Sequence, residues 1–117
     1  MSDDSAHVLD ALQAIQRIEQ FLQGVTQDSF LADIEKQSAV LHQFTILGEA
    51  LRRMSDAFRA MHPAVRWSDA IGFRNRIVHD YDEVDLDVVW RITQDDLSPL
   101  AAALQPIQPE KPVAGEE

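Results

Sequence analysis

Apolar residues recur every three or four positions along most of the chain, which is the spacing that places them on one face of an α-helix. In the first segment, about residues 5 to 23, they are Leu9, Leu12, Ile15, Ile18, Phe21 and Leu22. This segment is predicted to form one amphipathic helix that Gly24 ends. Asp28 or Ser29 is expected to cap the helix that follows.

The longest regular stripe crosses the middle of the chain. Its members are Val40, Phe44, Leu47, Leu51, Met54, Phe58 and Met61. The stripe predicts one long core helix over about residues 29 to 61. Gly48 is expected to permit a close crossing with another helix, and Glu49 and Arg53 are spaced for an i,i+4 ion pair.

Proline and capping residues divide the next part of the chain. The long helix should end at His62, because the residue before Pro63 avoids the α conformation. Ser68 is predicted to cap a third helix that carries Asp69 in its first turn. The residues of this helix that should face the core are Ile71, Ile77 and Val78.

Two shorter helices are predicted near the C-terminus. Asp85 is expected to cap the first, whose apolar residues are Val88, Val89, Trp90 and Ile92. Ser98 and Pro99 suit the N-cap and first helical position of the second. Its apolar residues are Leu100, Ala103, Leu104 and Ile107. Without any alternating strand pattern, the prediction is an all-α fold, a compact bundle of four to five helices with one long central helix.

The 117 residues indicate a single domain. Residues 1 to 107 are expected to form it, and the proline- and glutamate-rich residues 108 to 117 a disordered tail. The absence of cysteine excludes disulfides and thiolate metal sites, and suggests a cytoplasmic protein. Neither a signal peptide nor a membrane-spanning apolar run is present, so no membrane association is expected.

The charge is unevenly distributed. A net charge of -10 weighs against a nucleic-acid partner, whose phosphates attract basic surfaces. Residues 52 to 79 nevertheless carry six arginines and two aspartates, a local charge of +4, whereas residues 80 to 96 carry seven acids and one arginine. A positive field can persist locally on an acidic protein, but charge alone leaves a binding surface and solvated helix faces equally open.

The boundary between these segments is the stretch FRNRIVHDYDEVD, residues 73 to 85. Metal-independent RNA cleavage needs a base for the ribose 2′-hydroxyl and a cation for the charge that builds on the phosphate. Histidine suits the first role and arginine the second. Arg74 and His79 are therefore candidate catalytic residues, with Asn75 in support. No metal site is expected, because the stretch lacks the ligand spacing of a structural site.

Geometry limits this hypothesis. Arg74 and His79 are five residues apart and diverge by about 140° on a regular helix, whereas Asn75 and His79 share a face. The catalytic pair could converge if the helix ends near His79, or if a second chain supplies groups across a two-fold axis. The alternative also stays open, in which the arginines only pair with Asp80 and Asp82 and the histidine only caps a helix end.

The segment RNRIVHDY resembles the R-x4-H-x-Y motif of HepT-like proteins of the HEPN superfamily, with Arg74, His79 and Tyr81 at the motif positions. Three further blocks resemble the family in the same order. They are ILGEALRRMS (46 to 55), HPAVRWSDAIGFRN (62 to 75) and VDLDVVWRITQDDLSPL (84 to 100). The resemblance covers roughly residues 6 to 107.

This resemblance implies a helical homodimer that acts as a metal-independent RNase toxin. It also implies a partner, an MntA-like nucleotidyltransferase antitoxin, which uses ATP and a divalent cation to adenylylate the motif tyrosine, here Tyr81. A nucleotide there would add bulk and negative charge next to the site. Two alternatives remain: a non-catalytic helical binding subunit of a nucleotidyltransferase that docks through its acidic surface, and a simple helical scaffold.

Overall fold

A computed structural model describes residues 3–78 and 83–109, which form eight α-helices and one 3₁₀ turn. The helices are α1 (Asp3–Phe21), α2 (Gln27–Leu31), α3 (Ile34–Arg53), α4 (Asp56–Met61), α5 (Trp67–Ile71), α6 (Phe73–Ile77), α7 (Leu86–Asp95) and α8 (Leu97–Leu104), followed by the 3₁₀ turn Gln105–Ile107. Four of them, α1, α3, α7 and α8, are eight residues or longer. The predicted all-α fold is confirmed, and α3 is its long central helix.

The pairing of α1 with α3 forms the centre of the bundle. The buried residues of α1 are Val8, Ala11, Ala14, Ile15 and Ile18, whereas the predicted core positions Leu9 and Leu12 are only partly buried. The α1 helix ends at Phe21, and Gly24 has a φ of 71°, a conformation that favours glycine.

The prediction of one helix over residues 29 to 61 is wrong at its start. Thr26, rather than Asp28 or Ser29, caps the short helix α2 by accepting a hydrogen bond from the Ser29 N–H. Asp33 then caps α3 by accepting one from the Lys36 N–H at 3.0 Å. These local hydrogen bonds compete with a continuous helix and interrupt the chain before the stripe begins.

A second interruption follows α3. Met54 is extended, and the Ser55 hydroxyl caps α4 by accepting a hydrogen bond from the Phe58 N–H at 3.1 Å. The predicted stripe is therefore buried as far as Met54, while Phe58 is partly buried and Met61 is 72% exposed. The apolar spacing in the sequence continues to Met61, but the helix itself is interrupted where Ser55 caps α4.

The remaining boundaries agree with the sequence only in part. The α4 helix ends at Met61, directly before His62 and Pro63 as predicted. The expected cap Ser68 lies inside α5, which begins at Trp67. The indole N–H of Trp67 donates to carbonyl oxygens of the preceding turn, those of Arg59 and His62, both at 3.0 Å. These bonds fix the start of α5 without a side-chain cap.

The C-terminal helices close the bundle over α1 and α6. Asp85 caps α7 as predicted, accepting a hydrogen bond from the Val88 N–H at 3.1 Å. The α8 helix begins at Leu97, so the predicted start at Ser98 and Pro99 is wrong, because the buried Leu97 already belongs to the helix. Of the predicted tail, residues 110–117 lie outside the described residues. None of the described helices has the length and apolar character to cross a membrane.

Candidate functional site

The arginine of the motif lies on a short, well-anchored helix. Phe73 and Ile77, one turn apart on α6, are buried, and Phe73 packs edge-on against Phe44 of α3 with ring centroids 6.3 Å apart. Arg74 and Asn75 are exposed on the solvent side of this helix. Two buried side chains therefore fix how α6 presents its polar residues.

The junction between α5 and α6 leaves little room for a side chain. A Cβ atom on Gly72 would lie 3.1 Å from the carbonyl oxygen of Ser68, which is part of the helix backbone and cannot easily move. A larger residue here would require the neighbouring backbone to shift by a few tenths of an ångström. This close turn brings α6 next to α5 and α3.

The α6 helix ends before the motif histidine. Val78 is extended, with φ −101° and ψ 124°, and forms an isolated antiparallel bridge with Val84. The Asp85 N–H donates to the Ile77 carbonyl at 2.7 Å. Convergence of Arg74 and the histidine required either an early end of the helix or a second chain. The first of these conditions is met.

His79 and Tyr81 lie in the segment 79–82, outside the described residues. The expected sharing of a helix face by Asn75 and His79 required the helix to continue through residue 79. The α6 helix ends at Ile77, so the helix on which that expectation depends does not reach residue 79.

Ion pairing separates the six arginines of the positive segment into two groups. Four of them pair with carboxylates: Arg53 with Glu49 (3.9 Å), Arg59 with Asp56 (2.6 Å), Arg66 with Asp69 (2.9 Å) and Arg76 with Asp96 (3.3 Å). The first pair is the predicted one. Among the described residues, the guanidinium groups of Arg52 and Arg74 make no ion pair or hydrogen bond. The unpaired cations come from two different helices, α3 and α6.

The alternative to a catalytic role pairs Arg74 and Arg76 with Asp80 and Asp82. Those aspartates lie outside the described residues, and the structure places Arg76 against Asp96 at the end of α7 instead. Its guanidinium carbon also lies 5.9 Å from the centre of the Phe73 ring. Arg76 therefore has a structural partner that Arg74 lacks within the described residues.

Arg52 and Arg74 both line the same two neighbouring depressions. The first, which we call the arginine cleft, has a volume of about 700 Å³. Its lining residues come from α3 to α6: Arg52, Asp56, Arg59, Ala60, Trp67, Ser68, Ile71, Gly72, Arg74 and Asn75. Three arginines face one aspartate, so the cleft is positively charged on a chain that is acidic overall.

The second depression, which we call the apolar groove, has a volume of about 380 Å³. Its lining residues are Leu41, Phe44, Thr45, Leu47, Gly48, Glu49, Arg52, Ala70, Ile71, Phe73, Arg74, Ile77, Val78 and Val84. A Cβ atom on Gly48 would have no neighbour within 4 Å. The predicted close helix crossing at this glycine is therefore absent from the described part of the chain, and the glycine opens onto the groove.

Arg59 is the most enclosed arginine of the cleft. Its side chain is 27% exposed, and its Nε atom is buried without a hydrogen-bond partner among the described residues. Its Nη2 atom donates to Asp56, whose own side chain is 98% exposed. The arginine is thus held in place by burial, while its partner carboxylate stands in solvent.

Chemically, the cleft can hold a phosphate group. Planar guanidinium groups match phosphate oxygens in geometry, and unpaired ones need not first break an ion pair. Reasoning from the sequence singled out Arg74 but counted Arg52 and Arg59 only as part of the positive segment. Arg52 and Arg59 lie on two separate helices, α3 and α4, and their positions in the sequence do not indicate that they converge with Arg74.

Comparisons with known proteins identify the family of the chain. The family model "Ribonuclease HepT-like" matches residues 11–107, which include α6 and the motif. A "Probable ribonuclease HepT" of Thermococcus cleftensis is 29% identical over 99 residues, covering 85% of this chain and 90% of the relative. A "Putative RNase" of Methanocaldococcus jannaschii is 28% identical over 95 residues, covering 81% of this chain and 87% of the relative.

A further relative is a "Putative RNase" of Caldanaerobacter subterraneus, 26% identical over 101 residues, covering 86% of this chain and 90% of the relative. No solved structure matches the chain at a significant level. The family match extends over most of the chain, from α1 to the final 3₁₀ turn. The chain therefore belongs to the HepT-like family of the HEPN superfamily.

Proposed function

We propose that this protein is a metal-independent endoribonuclease, the toxin of a HepT/MntA-type toxin–antitoxin pair. The observation that supports it most directly is the position of Arg74. Within the described residues its guanidinium group is exposed and unpaired, between a positively charged cleft and an apolar groove. Three relatives that carry ribonuclease or RNase names support the same activity.

In the proposed reaction, His79 removes the proton from a ribose 2′-hydroxyl, and the oxygen attacks the neighbouring phosphorus. Arg74 stabilises the negative charge of the resulting phosphorane. The bond to the 5′-oxygen then breaks, and that oxygen takes the proton back from the imidazolium. The products are a 2′,3′-cyclic phosphate and a free 5′-hydroxyl, and no step uses a metal ion. Asn75, which lines the arginine cleft, would support the bound phosphate.

A second copy of the chain would complete the site. The apolar groove borders Arg74 and is lined by buried and partly buried apolar side chains of α3 and α5, with Gly48 leaving room for a close neighbour. A homodimer seated on this groove would bring the two Arg74 side chains to one shared cleft. Such an isologous contact uses the same surface on both copies.

Silencing would act on the same cations. An MntA-like nucleotidyltransferase antitoxin would use ATP and a divalent cation to adenylylate Tyr81. The added phosphate is an anion. The guanidinium groups of Arg52 and Arg74, which have no ion pair among the described residues, would bind it in place of an RNA phosphate. Modification would then occupy the positions that RNA phosphates need.

The decisive experiment compares RNA cleavage by the wild-type protein with cleavage by His79→Ala and Arg74→Gln, all in EDTA. Arg53→Gln is the matched control, because Arg53 lies on α3 near the cleft but pairs with Glu49. We expect cleavage by the wild type and the control only. Equal cleavage by wild type and His79→Ala would remove the histidine from the mechanism, and complete inhibition by EDTA would contradict metal independence.

One observation favours a second candidate, the non-catalytic subunit of a nucleotidyltransferase. Glu83, Asp87 and Asp95 are exposed acidic residues on or next to α7, and they could dock a basic partner. This candidate predicts tight, salt-sensitive association with the nucleotidyltransferase and no cleavage of any RNA. Detection of EDTA-resistant cleavage that His79→Ala abolishes would reject it.

A further inference from the structure

We infer that the arginine cleft binds the RNA backbone beside the scissile phosphate, with Arg52 and Arg59 as phosphate-binding residues outside the R-x4-H-x-Y motif. This inference rests on the proposed nuclease function and assigns its substrate contacts. Arg74 belongs both to the catalytic motif and to the arginine cleft, which it lines together with Arg52 and Arg59.

The first argument is the segregation of charge. Three of the six arginines between residues 52 and 76 lie outside the cleft, and each of them pairs with a carboxylate: Arg53, Arg66 and Arg76. The other three line the cleft against a single aspartate. On a chain with a net charge of -10, this leaves a concentrated positive surface among the described residues, and a polyanion is the partner that it attracts.

The second argument is the state of Arg59. A partly buried guanidinium group loses little further freedom when it binds, and Arg59 lines the cleft with its side chain 27% exposed. Asp56 holds only the Nη2 side of the group and is almost fully exposed. Because the Asp56 carboxylate stands in solvent, its attraction to Arg59 is screened, and a phosphate can replace it at the Nη2 atom.

The third argument is the position of the cleft walls. The Arg59 backbone carbonyl accepts the indole N–H of Trp67, which connects α4 to α5. Gly72 then joins α5 to α6, where Arg74 lies. The cations therefore stand on elements that are hydrogen-bonded or directly joined to one another. The volume of about 700 Å³ lies within the range of roughly 300 to 1,000 Å³ that is typical of ligand-binding clefts.

Backbone contacts of this type do not read bases, so the cleft should raise affinity for RNA of any sequence. Arg52 and Arg59 would act mainly on substrate binding, whereas Arg74 would act on the chemical step. The kinetic constants distinguish these roles, because uniform binding changes KM and transition-state contacts change kcat.

The experiment measures the affinity of the full-length protein for an uncleavable 2′-O-methyl oligoribonucleotide at several salt concentrations, and the cleavage kinetics of the matching RNA. The variants are Arg52→Gln, Arg59→Gln and Asp56→Asn, with Arg53→Gln as the matched control. We expect the first two to weaken binding by about tenfold each, and to lower the slope of log Kd against log salt by about one. Asp56→Asn should tighten binding, and the control should leave it unchanged.

Folding is checked by thermal unfolding of each variant. Arg59→Lys is added because it keeps the charge and most of the partly buried stem, and it should bind RNA better than Arg59→Gln. In cleavage, Arg52→Gln and Arg59→Gln should raise KM and leave kcat within about twofold of the wild type.

The two proposals can fail separately. If the wild-type protein cleaves RNA while Arg52→Gln and Arg59→Gln bind the oligonucleotide as Arg53→Gln does, the inference is wrong and the nuclease function stands. If the wild-type protein binds RNA through these arginines but cleaves none, the nuclease function is wrong and the cleft is a binding site only. Unchanged or weaker binding by Asp56→Asn would also count against the inference.

Discussion

Val78 and Val84 form an isolated antiparallel bridge, which holds the chain directly after α6 against the chain directly before α7. The hydrogen bond from the Asp85 N–H to the Ile77 carbonyl lies next to this bridge. Together they end α6 three residues after Arg74, so a regular helix does not carry the motif from its arginine to its histidine. The divergence of about 140° that a continuous helix would give between Arg74 and His79 therefore does not apply.

The stability of this region should depend on the cap of α7. Asp85→Ala removes the carboxylate that accepts the Val88 N–H, and we expect the free energy of unfolding to fall by about 1 kcal/mol. Urea unfolding measures the change. Asp95→Ala, at the opposite end of the same helix, is the matched control. A carboxylate there opposes the helix dipole, so its removal should cost nothing, and an equal loss in both variants would contradict the capping role.

The shape of the Arg74 side chain should matter as well as its charge. Arg74→Lys keeps a cation but loses the planar fork, so we expect a kcat between those of the wild type and Arg74→Gln. Removing the group altogether should lower kcat by about 10² to 10³ fold. Single-turnover cleavage measures the chemical step. Wild-type kcat in Arg74→Gln would show that this residue does not stabilise the transition state.

Gly48 offers a test of what faces the apolar groove. Because a Cβ atom there would meet nothing within 4 Å, Gly48→Ala should stabilise α3 in the single chain by about 0.5 to 1 kcal/mol. Denaturant unfolding at protein concentrations where the chain is monomeric measures this gain. In a dimer that uses the groove, the added methyl group should weaken association, which sedimentation measures. A loss of stability in the monomer would contradict the open environment seen at this glycine.

The start of α4 depends on a contact between the two ends of the central helix pair. The Asp4 carboxylate accepts hydrogen bonds from the Ser55 backbone N–H at 2.7 Å and its hydroxyl at 2.9 Å. Ser55→Ala removes the second of these and the cap on Phe58, so the free energy of unfolding should fall by about 1 to 2 kcal/mol. Thermal and urea unfolding measure it. The exposed Ser38→Ala substitution within α3 is the control and should be neutral or slightly stabilising.

Adenylylation of Tyr81 predicts a change in mass. The chain should gain the mass of one adenylyl group when it is produced together with an MntA-like nucleotidyltransferase, ATP and a divalent cation. Tyr81→Phe should gain none, and the modified protein should cleave RNA more slowly than the unmodified one. Intact-mass spectrometry and the cleavage assay provide both readouts. An adenylyl group on the Tyr81→Phe variant would place the modification elsewhere.

The sequence by itself determined the helical class and much of the core. The spacing of Val40, Phe44, Leu47 and Leu51 places them all inside the bundle, and the residue types around Pro63 and Asp85 fix a helix end and a helix start. These features are local, because helical period, proline geometry and capping depend on residues within about one turn of each other. The motif blocks pointed to the family for a related reason, since each is a short run of adjacent residues.

Only the tertiary structure decided which cations pair with carboxylates among the described residues. Arg76 pairs with Asp96, 20 residues away, and Asp4 binds Ser55, 51 residues away, so neither partner could be read from helical spacing. Arg52 and Arg74 lie 22 positions apart in the sequence and meet at one cleft because α3, α5 and α6 pack together. Ion pairing depends on distance in space, and the folding of the chain alone sets the distances between segments that are remote in sequence.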